Sequence, residues 1–256
     1  MAGPSGLPSG ADAVSFVASA ALVATLRGRF AVEQPNHAGS PTSLRAEIAE
    51  GLRFLLAHRV LRALGGMVGV FGLVFMASVA ILVLLAPQEL GLGSFGGRLL
   101  LAAIAVGFLP GNLLAAEVGQ RLGAGTLLIG GTLVTAAARL AVGLAPTAWV
   151  AAAALVVVRL VGSIWDMAQL SLRQTLIPDR LLGQVISAFR LVGFGPAPIG
   201  APLGGVLGRT LGQRARFVFG GVVLAVMALV ALPAVNTRSV KAARVRARAA
   251  AADGPA

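Results

Sequence analysis

The sequence predicts an all-α membrane protein, and three observations carry that prediction. Of its 256 residues, 57% are hydrophobic and 12% are charged, whereas a soluble domain carries about 25% charged residues. The apolar residues are concentrated in blocks of about twenty, which is the length of a helix that crosses a bilayer. Most basic residues fall in the gaps between the blocks. This pattern indicates several membrane helices rather than one soluble core.

Composition argues against other classes. A net charge of +12 would point to nucleic acid in a soluble protein, but the basic residues here are not interleaved with aromatic ones, so we expect no nucleic-acid partner. The absence of cysteine excludes disulfides and thiol chemistry. The two histidines, His37 and His58, share one polar linker. With no catalytic or phosphate-binding motif, we predict no enzyme activity, no cofactor and no metal site.

The first segment is short for a membrane span. Residues 13–26 are apolar and are followed at once by Arg27 and Arg29. Fourteen residues fall below the usual length of about 20 for a crossing helix. We therefore predict a partial membrane helix within residues 1–29.

Residues 30–62 form a polar linker whose second part is an amphipathic helix. Its charged residues lie opposite one apolar face. Two placements are equally compatible with this pattern: the helix lies flat on the membrane surface, or it packs on its own bundle. The apolar face comprises Leu44, Ile48, Leu52, Leu55 and Leu56.

Six further apolar blocks are predicted to cross the membrane, followed by a basic tail at 236–256. The fifth block is rich in Gly and Pro, so residues 193–202 are not expected to form a regular helix. Glycines four residues apart predict close helix packing, with static contact favoured over sliding. These glycines are the pairs 65/69, 107/111, 200/204 and 204/208. The six blocks are 63–86, 99–116, 126–144, 149–170, 185–211 and 217–235.

The polar stretch 171–190 sets the orientation. It is charged, contains Pro178 and lies between two apolar blocks, so we expect a loop at one membrane face. If that face is cytoplasmic, the gaps on its side hold 15 of the 21 Lys and Arg residues, and the opposite gaps hold four. Because positive charge stays inside, we predict a multi-pass protein of the cell membrane with a cytoplasmic C-terminus.

Polar residues inside the predicted spans are the candidates for a transport pathway. A charge at the bilayer centre costs roughly 3 kcal/mol or more, so it faces protein, water or a partner. Arg159 lies near the middle of its span and suits an anionic group, and Asp166, seven residues on, suits a proton or cation. A salt bridge or snorkelling to the membrane face is the alternative. The remaining candidates are Gln169, Arg139, which lies close enough to the outer end to snorkel, and Asn112, for which a hydrogen bond between helices is the stronger alternative.

Three residues of the polar stretch are candidates for a cytoplasmic gate. Arg173, Asp179 and Arg180 could contact other cytoplasmic loops when a transporter closes. The alternative is a solvated loop that only fixes topology, with Asp179 capping the next helix.

The residues from Trp165 to Arg190 resemble a known family. SLRQ at 171–174 and PDRLLG at 178–183 are similar to the loop between the tenth and eleventh helices of the major facilitator superfamily, in the branch of bacterial exporters that includes the enterobactin exporter and drug-efflux proteins. Residues 12–22 resemble its sixth helix and 50–64 the start of its seventh. Residues 111–123, with Arg121, resemble the degenerate second copy of its loop motif and make Arg121 a further gate candidate.

The resemblance implies a function. The family exports small molecules by proton antiport and has twelve helices in two halves, so we expect this chain to be a six-helix C-terminal half with a partial preceding helix. Three outcomes stay open: a truncated product inactive alone, a half that works as a homodimer or with a separate N-terminal half, or a membrane binding or scaffold protein. Lipid is the one certain partner, and the substrate is unknown. The family has an asparagine-like residue where this chain has Asp166, so no role is carried over to it.

Overall fold

The computed structural model describes residues 6–25, 44–89, 94–212 and 214–252, and these are helical almost throughout. They divide into two compact units, Met1–Thr42 with the first helix and Ser43–Ala256 with the rest. In the described ranges the α-helices are α1 (Gly6–Thr25), α2 (Leu44–Ala57), α3 (Arg59–Glu89), α4 (Ser94–Leu122), α5 (Ala124–Leu144), α6 (Ala148–Leu176), α7 (Leu182–Phe194), α8 (Ala197–Thr210), α9 (Ala215–Val235) and α10 (Thr237–Ala252).

Six segments of the described chain are long and apolar enough to cross a bilayer, which confirms the all-α membrane class. Helices α7 and α8 together make one of these six, and α1 is not among them. The segments are Arg59–Ser78, Ala102–Leu122, Ala124–Leu144, Ala148–Leu176, Leu182–Thr210 and Ala215–Val235. Part of the predicted linker, residues 30–43, lies outside the described residues.

Helices α5 and α6 form an antiparallel hairpin around a short turn. Pro146 lies in that turn, and the hydroxyl of Thr147 accepts a hydrogen bond from the backbone N–H of Val150. This is an N-cap, which satisfies one of the free donors at the start of α6. At the other end of α5, Gly123 has a φ of 77°, a conformation that glycine adopts without steric cost.

The polar stretch 171–190 is not a loop, so that prediction is wrong. Helix α6 continues to Leu176, and α7 begins at Leu182 after a single 3₁₀ turn. The break is at Ile177, whose backbone is extended because the ring of Pro178 disfavours helix in the preceding residue. The polar residues occupy the last turns of one helix and the first turns of the next.

The helix is interrupted within the Gly- and Pro-rich stretch 193–202, but over fewer residues than expected. Helix α7 ends at Phe194, and α8 begins at Ala197 after two intervening residues. Pro198 lies in the first turn of α8, where the missing backbone donor costs nothing. Only Gly195 and Pro196 are non-helical, and Pro202 lies inside α8.

Glycines bring the helix backbones together, as their spacing predicts. A methyl group built on Gly111 would lie 2.5 Å from the carbonyl oxygen of Leu160, so α4 rests directly on α6. On α8, a methyl group on Gly200 would lie 2.7 Å from the carbonyl oxygen of Leu73 in α3. Such contacts leave no room for any side chain at these positions.

Helix α2 packs on the bundle, which decides between its two predicted placements. Leu55 is 2% exposed in a core that includes residues of α3, α7 and α9, whereas Leu56 is 48% exposed. Gly51 lies against the backbone of Gln184 in α7 so closely that a methyl group would overlap its carbonyl. The basic tail also takes part, because α10 buries Val240 in the same core.

Candidate functional site

A small cavity inside the bundle contains two of the predicted arginines. Its volume is about 60 Å³, and Arg139 of α5 and Arg159 of α6 both line it. Ser78 of α3 adds one hydroxyl. The rest of the wall is apolar and comes from α3, α4, α6 and α9: Phe75, Ile104, Leu155, Val158 and Phe217.

Helix geometry explains why the two arginines meet. In an α-helix every side chain leans toward the N-terminus. Because α5 and α6 are antiparallel, Arg139 leans away from the turn at 145–147 and Arg159 leans toward it. Arg139 lies five residues before the end of α5, and Arg159 lies eleven residues after the start of α6. The opposite directions of the two side chains therefore bring both guanidinium groups to a similar distance from the turn.

Arg139 points into the bundle instead of snorkelling to the membrane face. It is 6% exposed, and its Nη1 donates a hydrogen bond of 2.9 Å to the hydroxyl of Ser78. That hydroxyl donates in turn to the carbonyl oxygen of Val74, over 2.7 Å. A methyl group on Gly220 of α9 would lie 2.7 Å from Cγ1 of Val74 and 3.7 Å from Nη1 of Arg139, so this glycine permits close packing of α9 on Val74 beside the guanidinium. Its Nε has no acceptor among the described residues.

Arg159 is half-buried and lines the same cavity. Its guanidinium carbon lies 5.3 Å from the centre of the Phe108 ring of α4, within the range of a cation–π contact. Its Nε is buried and also lacks an acceptor in the described part of the chain. Its backbone carbonyl accepts from the hydroxyl of Ser163. The alternative considered for it, a salt bridge to a neighbouring helix, is not found among the described residues.

Asp166 and Gln169 lie away from this cavity. Asp166 is exposed on α6, and seven residues separate it from Arg159, which is roughly 10 Å along the helix. Within the described ranges, no arginine or lysine nitrogen lies within 4 Å of its carboxylate. Gln169 is 8% exposed, and its Oε1 has no donor among the described groups.

Asn112 does not form the expected hydrogen bond between helices. Its amide donates to the carbonyl oxygen of Phe108, one turn earlier in the same helix, over 2.9 Å. Hydrogen bonding to a residue four positions back is common for polar side chains inside helices. Asn112 is not one of the residues that line the cavity.

Among the gate candidates, Arg173 is the one held by another helix. Its guanidinium carbon lies 4.5 Å from the centre of the ring of Phe189, a fully buried side chain of α7. Arg121 pairs with Glu117 on its own helix, where both side chains are exposed. Arg180 is exposed, and the side chain of Asp179 lies outside what the structure describes.

Ser78 is a site residue that the sequence analysis missed. It is the one side chain with a hydrogen-bonding group in the apolar block 63–86, and that isolation was the available signal. The aromatic residues of the wall carry no such signal, because phenylalanines in a membrane helix are ordinary lipid-facing or core residues.

One family of known proteins matches the chain. A family model described as transmembrane secretion effector, within the major facilitator superfamily, matches residues 3–253, which is nearly the full length. No curated protein and no solved structure matches the sequence.

Proposed function

We propose that the chain, which belongs to the transmembrane secretion effector family of the major facilitator superfamily, forms one six-helix half of a transporter that exports small molecules in exchange for protons. Membership makes it a membrane transporter. The observation that supports a transport site is the cavity lined by Arg139 and Arg159 within the spanning segments. Charges in a membrane interior are expensive and are typical of substrate and ion pathways.

Two residues of α6 are proposed to have different roles in transport. Arg159 is half-buried beside the cavity and is the residue proposed to meet the substrate, with Arg139 behind it. Asp166 is exposed on the same helix and is proposed to carry the proton. An exposed carboxylate within a spanning segment suits a water-filled passage facing a second bundle. Gln169 and Asn112 are proposed as minor polar residues of this passage.

The second bundle is a separate element of the proposal. Transporters of this kind alternate access by rocking two bundles around a site near the membrane midplane. We propose that one bundle alone is inactive and that a second bundle comes from another copy, another chain or further sequence. The C-terminus is proposed to be cytoplasmic in the cell membrane, and the substrates to be small amphipathic molecules, as in the enterobactin-exporter branch.

A gate is proposed at the cytoplasmic ends of α6 and α7. The contact of Arg173 with Phe189 ties the two helices together next to the break at Ile177. Arg121, Asp179 and Arg180 lie at neighbouring helix ends and are proposed to contact the second bundle in the closed state.

Proton movement in liposomes tests the proposal. The protein is purified in a mild detergent, separated by size into monomer and larger complex, and each fraction is reconstituted with a pH-sensitive dye inside. Ethidium and 2,3-dihydroxybenzoate serve as a cationic and an anionic probe. We expect probe-dependent proton movement with the complex and none with the monomer.

Two variants assign the roles. Asp166→Asn removes the proposed proton carrier and is expected to abolish probe-dependent proton movement, and Arg159→Ala is expected to lower it at least tenfold. Arg209→Ala, an exposed arginine of α8, is the control with unchanged movement. Movement by the monomer would contradict the need for a second bundle, and no movement in any fraction would contradict transport itself.

A further inference from the structure

The cavity holds two guanidinium groups and no carboxylate. Acidic residues are absent from the sequence between 51 and 88, between 118 and 165 and between 180 and 252. These stretches include α5, α9 and nearly all of α3, and the acid of α6, Asp166, is two turns away from Arg159. Asp166 is near enough to attract Arg159 electrostatically, but it does not line the cavity, and within the described ranges it forms no ion pair with either arginine. The two positive charges at the cavity are therefore not neutralised by a carboxylate in contact with them.

Both arginines at the cavity have a buried nitrogen without an acceptor among the described residues. Arg139 is nine-tenths buried, and its Nε lacks an acceptor among the described residues. The same is true of the Nε of Arg159 at the same cavity. A guanidinium carries five donors and no acceptor, and the hydroxyl of Ser78 receives one of them from Arg139. Water can accept hydrogen bonds from the remaining donors, but it does not cancel two positive charges in an apolar surrounding.

We propose that this cavity is a binding site for a compact anion, held by Arg139 and Arg159. The volume of about 60 Å³ has room for a chloride ion or a carboxylate group. The apolar wall, with Phe75 and Phe217, strengthens the attraction because it keeps the local dielectric constant low. The site is reached past the members of its lining that are exposed or partly exposed, which are Phe75, Ile104 and Arg159.

The inference concerns the cavity of the proposed transport site and so deepens the proposed function. Its test is independent of transport, because an anion would balance this charge whether or not the protein transports anything. Ser78 is a positioning residue here: its hydroxyl accepts from Nη1 of Arg139 and so directs the guanidinium toward the cavity. The anion is either a free inorganic ion or the carboxylate of a small organic molecule, and both share the same chemistry.

Thermal unfolding of the full chain in detergent tests the site. The protein is titrated with sodium chloride or sodium acetate, while sodium gluconate keeps the sodium concentration and ionic strength constant. Gluconate is the reference anion because binding its carboxylate would place the neighbouring hydroxyl groups against the apolar wall, where their lost hydration is not repaid. We expect chloride, acetate or both to raise the unfolding temperature by about 2 °C or more at saturation. A rise with chloride identifies an inorganic ion, and a rise with acetate alone identifies a carboxylate.

Variants separate this site from general salt effects. Arg139→Gln and Arg159→Gln are expected to remove the rise, and Arg209→Gln on the exposed side of α8 is expected to keep it. If Arg139→Gln does not fold, Arg159→Gln decides alone. Equal unfolding temperatures of the unmodified protein in all three salts would overturn the proposal. The same rise in the two cavity variants as in the unmodified protein would also overturn it. Neither result depends on transport.

Discussion

Nη1 of Arg139 in α5 donates a hydrogen bond to the hydroxyl of Ser78 in α3, and 61 residues of sequence separate the two. The bond crosses the bundle from the second half of α5 to the third helix of the fold. It holds a buried guanidinium at a fixed place in the cavity wall. A hydrogen bond to a charged group is worth about 1.5–3 kcal/mol, more than a bond between neutral groups.

Removing the Ser78 hydroxyl is therefore expected to destabilise the bundle. Ser78→Ala leaves a buried guanidinium donor without its acceptor and is expected to lower the free energy of unfolding by about 1.5–3 kcal/mol. Denaturant unfolding in detergent measures this change in the free energy of unfolding. Ser187→Ala is the matched control, because Ser187 is exposed and bonds only to the carbonyl of Gly183 in its own helix. Equal stability of the two variants would contradict this account of Arg139.

Two adjacent glycines of α8 are expected to respond differently to alanine. A methyl group on Gly204 would overlap the backbone of Ala77 in α3, so Gly204→Ala is expected to cost about 1–3 kcal/mol through overpacking. At Gly205 the nearest atom would be 3.9 Å away, and alanine is expected to be neutral or slightly stabilising. Thermal unfolding of both variants in the same detergent measures the difference. Similar midpoints would show that α3 and α8 are not in this close contact.

Helix α2 offers a similar pair of neighbours. Leu55→Ala empties a core position and is expected to lower stability by about 2–4 kcal/mol. Leu56→Ala changes an exposed side chain and is expected to change stability by less than about 0.5 kcal/mol. The measurement is the unfolding midpoint in detergent, without lipid. If Leu55→Ala has no effect there, α2 is a membrane-surface helix and not part of the bundle core.

The proposed orientation is testable by cysteine labelling, because the chain has no cysteine of its own. Pro146→Cys lies in the turn between α5 and α6, and Ala242→Cys lies on the exposed side of α10. With intact cells and a membrane-impermeant maleimide, we expect Pro146→Cys to be labelled and Ala242→Cys to react only after permeabilisation. The reverse pattern would place the C-terminus outside and invert the orientation derived from the arginines.

Local pattern was sufficient for the membrane class and for close packing at the glycines. Hydropathy over about twenty residues identifies a span because the bilayer thickness sets the length. Glycines four residues apart lie on one helix face, so Gly107 and Gly111 could be assigned to a contact before the partner helix was known. The partner, α6, could not be assigned, because nothing in the spacing says which helix the face meets.

The polar stretch 171–190 shows where local pattern failed. Charge and Pro178 predicted a loop, but Arg173 lies within α6 and Gln184 within α7. Composition reports where polar residues are, and it does not report whether their backbone continues a helix. In this chain the break between α6 and α7 begins at the extended residue Ile177 and is completed by Pro178 and a 3₁₀ turn at Asp179–Leu181.

The sequence by itself determined that Arg139, Arg159 and Asp166 lie in membrane helices, because burial of charge in apolar blocks is visible along the chain. Only the tertiary structure decided that the two arginines share a cavity with Ser78 while Asp166 lies outside it. The physical reason is that side-chain direction within one helix follows from residue spacing, whereas a meeting of α3, α5 and α6 depends on which faces pack together.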